Sequence, residues 1–287
     1  MSPPRTFVDP LIGRTVSGLY RLEKRLKSGG MSSVYLARHE AEERWMAVKT
    51  LRRDLARNPV HRDRFIREAR AVHRINHPNI VEIVDFGEGE DELVYLVMEY
   101  VVGSSLFELS RSGPLSVSRA LDIVEQCADA LRQAHRMGVV HRDLKPENIL
   151  IAQTPTRNDF VKLLDFGIAK IFDVPSLTGS QQIFGTPGYI APEYIQGTGM
   201  DGRADLYSLG VILYEMVTGA LPFDYEYPGD LLVKHVTDVP IAPRVRRHDV
   251  PQCVESFVLR CLAKNPDERF RDAQHFLEEL AVVHAQL

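Results

Sequence analysis

The sequence predicts an α+β fold in two lobes, with strands in the first third of the chain and helices in most of the rest. Three stretches after Tyr20 read as strands broken by turn or charged residues: YRLEKRL, SVYLARH and RWMAVKTL. Residues 115–136 carry apolar side chains at helical spacing. Residues 205–219 (DLYSLGVILYEMVTG) are apolar nearly all round, as expected of a helix at the centre of a helical domain.

Composition and charge narrow the class of protein. The chain has 287 residues, of which 44% are hydrophobic and 26% charged, and its formal net charge is −4. These values are ordinary for a globular protein and give no reason to expect a nucleic-acid partner. Cys127, Cys253 and Cys261 have no paired spacing, which argues against a disulfide framework and against a zinc site and favours a reducing compartment.

The sequence shows no targeting or membrane-spanning segment. The N-terminus lacks the apolar core of a secretory signal. The most apolar run, residues 206–217, is too short to cross a bilayer and contains Ser208, Tyr214 and Glu215. We therefore expect a cytoplasmic protein with no membrane partner.

Composition also indicates where the chain divides. Residues 1–18 are rich in proline, glycine and arginine, so we expect a poorly ordered leader. Strand-like patterns then run to Met98, and the following EYVVG breaks them. We predict a first lobe over residues 19–98, a connector over residues 99–103 and a helical second lobe over residues 104–284.

A glycine-containing hairpin lies between the first two predicted strands, at residues 26–34 (LKSGGMSSV). Such a hairpin can bring backbone N–H groups close to phosphates. A Gly-Gly pair is more often a simple turn, so the hairpin alone is a weak signal.

Two charged side chains of the first lobe are candidates for a buried ion pair. Lys49 shares one face of its predicted strand with Ala47. In the predicted helix HRDRFIREARAVHRI, Glu68 lies on the side of the apolar stripe. A buried carboxylate needs a partner, and Lys49 is the natural one. A solvated Lys49, and a Glu68 that pairs with Arg64, are the alternatives.

Two short polar strings stand beside apolar runs in the second lobe. HRDLKPEN, at residues 141–148, contains Asp143, Lys145 and Asn148, and DFG begins at Asp165. We expect both strings to form loops at the ends of buried strands. Two carboxylates, an amide and an ammonium in adjacent loops suit a metal-bound polyphosphate, which indicates a phosphoryl-transfer site.

These strings, with APE at residues 191–193 following in order, resemble the signature motifs of the eukaryotic-like (Hanks-type) protein serine/threonine kinases, in a form we expect to be bacterial. The resemblance runs from about Tyr20 to about Val283. It implies the bilobal protein kinase fold, with a small antiparallel N-lobe sheet and one helix, and a larger, mainly helical C-lobe. It also implies ATP- and Mg²⁺-dependent phosphorylation of protein serine and threonine hydroxyls in signal transduction.

The resemblance assigns roles to the polar residues. Asp143 corresponds to the catalytic aspartate that orients the substrate hydroxyl and accepts its proton. Lys145 corresponds to the lysine that contacts the transferring phosphoryl group in serine/threonine kinases. Lys49 and Glu68 correspond to the ion pair at the α- and β-phosphates. Asn148 and Asp165 correspond to the Mg²⁺ ligands.

The resemblance also implies an adenine pocket. Its roof corresponds to Val34 and Ala47, its floor to Leu150 and its gatekeeper to Met98. The backbones of Glu99 and Val101 correspond to the partners of the adenine edge. The phosphate-covering hairpin would include four residues: Lys27, Ser28, Gly29 and Gly30.

One motif departs from the family pattern G-x-G-x-x-G-x-V. Aligned on Val34, the three glycine positions hold Lys27, Gly29 and Ser32. Only the middle glycine is kept, and a side chain at the other two narrows the freedom of the backbone. We predict a looser phosphate lid and weaker ATP binding, with activity retained.

The resemblance further implies structural pairs and regulation. Glu193 should pair with Arg269, and Asp205 should tie the catalytic loop to the central helix. Autophosphorylation is predicted at Thr178 and Ser180, and less at Ser176, and the attached phosphate would order the loop against the positive charges of Arg142 and Lys170. Transient homodimers would permit this reaction between chains.

Two other functions are weighed against an active protein kinase. A pseudokinase scaffold is favoured only by the hairpin, because Lys49, Asp143, Asn148 and Asp165 all stand. A small-molecule kinase would share a related catalytic loop, but GTPGYIAPE is typical of kinases that bind peptides.

Overall fold

The computed structural model describes residues 9–166 and 187–287, which form two compact units. The described part of the first unit is residues 9–73 and 82–100. The second unit contains residues 74–81 and the described residues from Val101 onward. The first unit is rich in strands and the second in helices, so the predicted α+β class is confirmed.

The first unit contains a six-stranded antiparallel sheet with strand order β1-β2-β3-β4-β6-β5. Its apolar face is a core that includes Leu22, Ala37 and Val48, which are fully buried. Two helices of the unit lie between β4 and β5, and the second is the predicted helix that carries Glu68. The strands are Thr15–Val16 (β1), Tyr20–Ser28 (β2), Ser32–His39 (β3), Trp45–Leu51 (β4), Ile83–Glu88 (β5) and Val94–Glu99 (β6), and the helices are Arg53–Ala56 (α1) and Pro59–His73 (α2).

The predicted leader over residues 1–18 is wrong from Asp9 onward. Asp9 is 9% exposed and its carboxylate accepts hydrogen bonds from the backbone N–H of Leu11 and from the Tyr35 hydroxyl, each at 3.1 Å. Arg25 forms an ion pair with the same carboxylate at 3.1 Å. Val16 in β1 is 3% exposed and belongs to the core. A buried carboxylate and one apolar residue therefore hold this segment in place, although its composition had predicted poor order. Residues 1–8 lie outside the described residues.

The predicted first lobe included residues 74–81, but these belong to the second unit. The reason is hydrogen bonding. The Asn79 side chain donates to the Gln126 side chain at 3.2 Å and to the Val161 carbonyl at 2.8 Å. The Val81 N–H donates to the Leu163 carbonyl at 3.0 Å. Asn79 and Val81 therefore find their partners among other residues of the second unit.

The second unit is built around the helix that the sequence predicted to be apolar on all sides. This helix is Arg203–Thr218 (α6), and it ends at Gly219, whose φ of 76° is left-handed. A small antiparallel sheet accompanies the helices. Its strands are Gly103–Ser105 (β7), Ile149–Thr154 (β8) and Arg157–Leu163 (β9). The other helices are Leu106–Ser110 (α3), Val117–Arg136 (α4), Pro192–Gln196 (α5), Asp230–Thr237 (α7), Pro243–Arg246 (α8), Gln252–Cys261 (α9) and Ala273–His284 (α10).

Of the helices in the described part of the chain, none is both long and apolar enough to cross a membrane.

The core of the second unit contains a buried histidine, His235 in α7. Its side chain is 0% exposed, and its Nδ1 shares a 2.8 Å hydrogen bond with the Tyr207 hydroxyl. Burial, and then the positive charge of Lys264, lower the pKa of His235 from 6.5 to about 3. His235 therefore stays neutral in the folded protein at pH values where it is protonated in the unfolded chain.

This difference predicts acid sensitivity. Below pH ~6.5 the unfolded state binds one more proton at His235 than the folded state does. The free energy of unfolding should therefore fall by about 1.4 kcal/mol for each unit by which the pH is lowered. Urea unfolding at a series of mildly acidic pH values measures this slope. The His235→Gln variant cannot take up that proton, so its free energy of unfolding should change less steeply with pH, by about 1.4 kcal/mol per pH unit. Equal slopes in the two proteins would contradict the assignment.

Candidate active site

The catalytic-loop motif at residues 141–148 connects the end of α4 to β8. Asp205 in α6 fixes the start of this loop. Its carboxylate accepts hydrogen bonds from the backbone N–H of His141 at 2.8 Å and of Arg142 at 2.9 Å. It lies 2.7 Å from Nε2 of His135 in α4. The predicted link between the loop and the central helix is present.

The environment keeps Asp205 ionised. Its side chain is 1% exposed, and burial alone would raise the pKa. The hydrogen bond and charge of His135, together with the charge and backbone N–H of His141, outweigh burial and hold the pKa below its usual range. The role of His135 could not be predicted from the sequence, because a histidine near the end of a helix carries no pattern that reveals a partner 70 residues away.

Two residues of the site have left-handed backbone conformations, which residues other than glycine adopt only at a cost in free energy. The φ angle is 64° at Arg142 and 50° at Asp165. Such conformations cost on the order of 1–3 kcal/mol each and persist only where surrounding contacts impose them. At Arg142 the imposing contact is the hydrogen bond from its N–H to Asp205.

Three of the predicted site residues meet within the loop. Nζ of Lys145 donates to both carboxylate oxygens of Asp143, at 3.2 and 3.0 Å. The side-chain nitrogen of Asn148 donates to the Asp143 carbonyl at 2.8 Å and to its carboxylate at 3.2 Å. Asn148 is buried, whereas Asp143 and Lys145 are partly exposed. The loop thus presents one carboxylate held by an ammonium and an amide.

His141 and Leu164 join this loop to the segment that carries Asp165. The Leu164 N–H donates to the Asn148 carbonyl at 2.9 Å, and Nε2 of His141 donates to the Leu164 carbonyl at 2.8 Å. His141 is fully buried, and burial lowers its pKa, which keeps the ring neutral. Its ring centroid lies 4.5 Å from that of Phe166. The predicted adjacency of the two polar loops is therefore found.

The donor atoms fit a Mg²⁺ ion bound with polyphosphate. The side-chain nitrogen of Asn148 is engaged by Asp143, so its side-chain oxygen is the atom left to face a cation. Asp165 adds a partly buried carboxylate on the joined segment. Carboxylate and amide oxygens are ligands that Mg²⁺ accepts, with phosphate and water completing its coordination.

The first unit holds the other predicted nucleotide residues. Lys49 in β4 is 4% exposed, and Val34 lies opposite it in β3. Ala47 pairs with Met98 across β4 and β6, and β6 ends at Glu99. Glu68 in α2 is half-buried. Lys49 and Glu68 thus lie in the same unit, and the ion pair between them remains a prediction.

The hairpin between β2 and β3 is exposed at four predicted residues: Lys27, Ser28, Gly29 and Gly30. Gly29 closes it by donating its N–H to the Ser32 carbonyl at 2.8 Å. In the second unit, Val101 follows β6 and Leu150 lies in β8, both partly exposed. The nucleotide-binding roles of all these residues stay predictions, and Thr178, Ser180, Ser176, Lys170 and the glycine of DFG lie outside the described residues.

The predicted ion pair between the APE motif and the C-terminal part of the chain is present. Both terminal nitrogens of Arg269 donate to the Glu193 carboxylate, one to each oxygen, at 2.8 Å. The side chains are 0% and 8% exposed. This pair supports the segment that follows the site.

Comparison with known proteins gives the same assignment as the site. The family model described as protein kinase domain matches residues 20–280. Serine/threonine-protein kinase pkn3 of Myxococcus xanthus is 43% identical over 282 residues, which are 96% of this chain and 52% of that protein. PknB of Mycobacterium leprae is 42% identical over 275 residues, which are 94% of this chain and 44% of that protein. The chain thus spans about half the length of the curated relatives it matches.

Solved structures share the fold. The kinase domain of PknI from Mycobacterium tuberculosis aligns with a TM-score of 0.74 at 30% identity, over 96% of this chain and 99% of that chain. Rad53 in complex with AMP-PNP aligns with a TM-score of 0.77 at 27% identity, over 93% of this chain and 66% of that chain. The motifs, the fold and these relatives agree, and the chain belongs to the protein kinase domain family, among the bacterial Hanks-type serine/threonine kinases.

Proposed function

We propose that this chain is an ATP-dependent protein serine/threonine kinase that transfers the γ-phosphoryl group of ATP to hydroxyls of protein substrates. The observation that carries the proposal is the Asp143–Lys145–Asn148 cluster, held in one loop by Asp205. The pseudokinase and small-molecule alternatives gain no support from this cluster, because Lys145 and Asn148 both contact the Asp143 carboxylate.

The geometry supports distinct roles for the two charged side chains. Asp143 offers a partly exposed carboxylate that orients a substrate hydroxyl and takes its proton as the new bond forms. Lys145, already 3.0 Å from that carboxylate, places a positive charge where the transferring phosphoryl group would carry negative charge. The amide of Asn148 keeps the carboxylate oriented through a 3.2 Å hydrogen bond.

Asn148 and Asp165 would hold Mg²⁺ when ATP is bound, and the ion would neutralise charge on the phosphates. The structure supports this assignment through the hydrogen bonds that turn the Asn148 nitrogen toward Asp143. Lys49 and Glu68 of the first unit are proposed to hold the α- and β-phosphates. Ala47 and Met98 of the first unit are proposed to contact adenine.

A phosphoryl-transfer assay with labelled ATP and a generic protein substrate tests the proposal. The Asp143→Asn variant keeps the shape of the side chain and removes the base, so transfer should fall by about 10²–10⁴-fold. Nucleotide affinity, measured separately, should change little. Asp249→Asn, an exposed surface pair with Arg247, is the matched control and should keep full activity. Wild-type protein that binds nucleotide but transfers no phosphate would instead indicate a pseudokinase.

The hairpin sequence predicts that ATP affinity can be improved. Lys27 is exposed in β2, next to a register shift between Arg25 and Lys27. Replacing Lys27 by glycine removes a side chain and frees the backbone to approach the phosphates. We expect tighter ATP binding, seen as a lower KM for ATP with kcat little changed. An unchanged ATP affinity would show that the missing glycine does not loosen the lid.

The proposal extends to the regulation of the chain and to its surroundings. Autophosphorylation at Thr178 and Ser180, or at Ser176, would place phosphate within reach of Arg142, and phosphopeptide mapping of active protein checks it. Transient homodimers would allow the reaction between chains. A cytoplasmic location, and the lack of nucleic-acid and membrane partners, remain predictions from composition.

A further inference from the structure

A second group of potential metal ligands lies away from the catalytic loop, where α4 packs against α10. Asp122 and Glu125 stand one turn apart on α4, and His284 is the last residue of α10. One ligand atom from each of the three side chains lies within 4.8 Å of the others. Both carboxylates are exposed and His284 is partly exposed, so an ion in solution can reach them.

One nitrogen of the His284 imidazole, Nε2, is buried, yet within the described ranges it has no hydrogen-bond partner. Its polar neighbour is Oε2 of Glu125 at 4.0 Å, which is too long for a hydrogen bond. Buried polar atoms without a partner are uncommon in folded proteins, and a bound ion is one explanation for such an atom.

The contrast with another histidine on α10 is informative. Nε2 of His275 lies 3.4 Å from Glu279, one turn further along the same helix, which is an ordinary surface pair with a single carboxylate. At His284, one imidazole nitrogen and two carboxylates from a different helix lie within 4.8 Å of one another. Two carboxylates this close repel each other, and a cation between them and the imidazole would satisfy all three groups.

We propose that Asp122, Glu125 and His284 form a binding site for a divalent first-row transition cation such as Zn²⁺. An imidazole nitrogen with carboxylate oxygens suits Zn²⁺ and its neighbours, whereas Mg²⁺ and Ca²⁺ prefer oxygen ligands alone. Zn²⁺ takes ligands at about 2.0–2.2 Å, so these exposed side chains must close by a fraction of an ångström to about an ångström. Three protein ligands leave a position for water.

The proposed ion would cross-link the last turn of α10 to α4. Because the three ligands converge only in the folded chain, binding would favour the folded state. The site is independent of the proposed catalytic function, and it contains no cysteine, so the sequence argument against a zinc site, which considered cysteines, did not address it.

Calorimetric titration of the nucleotide-free protein with zinc chloride at neutral pH tests the site. We expect one Zn²⁺ per chain, bound at least about tenfold more weakly by Asp122→Asn, Glu125→Gln and His284→Gln. The His275→Gln variant is the matched control and should bind like wild type. Zinc should also raise the Tm of wild type and of this control by about 2–4 °C, with no rise in the three ligand variants.

Several results would overturn the proposal. Absence of binding at roughly millimolar zinc would show that the three side chains do not form a metal site. Binding that survives the three ligand substitutions would place the ion elsewhere. Displacement of zinc by an equal concentration of Mg²⁺ would contradict the assignment to a transition cation. Circular dichroism of each variant confirms that it folds, which these surface replacements should permit.

Discussion

The Asp205→Asn variant is expected to lose about 10²-fold in kcat while its KM for ATP changes by much less. Asp205 touches no substrate in the proposed reaction, and its effect is on the position of the loop. Its two oxygens accept the N–H groups of His141 and Arg142. An asparagine has one oxygen and one NH₂ group, so at least one of these backbone donors would face another donor.

The strained backbone at Arg142 explains why the consequence reaches Asp143. Arg142 has a φ of 64°, and the hydrogen bond to Asp205 helps to hold it there. When that bond is lost, Arg142 can relax toward an ordinary conformation and move the adjacent Asp143. Glycine adopts positive φ without the cost of a side chain. Adding Arg142→Gly to Asp205→Asn should therefore recover part of kcat, which a purely destabilised protein would not do.

Steady-state kinetics on the single and double variants measure this effect. Asp201→Asn is the matched control, because Asp201 lies just before α6, is exposed, and pairs with Arg203 at the surface. It should leave kcat within about twofold. An Asp205→Asn enzyme with wild-type kcat would show that the loop keeps its position without this carboxylate.

The sequence was most informative where one short motif contains the whole interaction. Asp143, Lys145 and Asn148 are separated by at most five residues, so the motif itself brings them together, and the structure adds the distances. The all-round apolar pattern of α6 likewise predicted its central place. The pairs of Asp205 with the loop and of Glu193 with Arg269 came from family resemblance, because no local pattern links residues more than 60 positions apart.

Where the prediction was wrong, long-range contacts had outweighed composition. Residues 9–16 read as a leader, but Asp9 meets Tyr35 and Arg25, and Val16 completes the core. Residues 74–81 read as part of the strand-rich lobe, yet the hydrogen bonds of Asn79 place them with the helical unit. A single polar residue in a loop carries no periodic signal, so its tertiary partner appears only in the folded structure.

The second large effect is expected at the buried pair of Arg269 and Glu193. Arg269 also donates to three backbone carbonyls, of Ala263 at 2.8 Å, Lys264 at 3.1 Å and Arg203 at 3.2 Å. Its guanidinium carbon lies 4.8 Å from the centre of the Tyr207 ring. One side chain therefore satisfies the carboxylate of Glu193 and ties together the start of α6, the segment after α9, and α5.

Replacing Arg269 by methionine should lower the free energy of unfolding by about 3–5 kcal/mol, because it leaves Glu193 as a buried charge without its partner. Urea unfolding at neutral pH measures the loss. Lysine should not rescue it, since an ammonium cannot reproduce two parallel hydrogen bonds to the carboxylate. Arg271→Met is the control: Arg271 forms an exposed pair with Asp272, and its loss should cost no more than about 0.5 kcal/mol.

A double-mutant cycle separates the pair from the rest of the network. Glu193→Gln removes the charge that Arg269→Met would strand, so the double variant should be less destabilised than the sum of the two single variants, by roughly 1–3 kcal/mol. The remaining loss would belong to the backbone carbonyls that Arg269 satisfies. Additive losses would contradict a direct coupling and would mean that Arg269 stabilises the second unit through those carbonyls and Tyr207 alone.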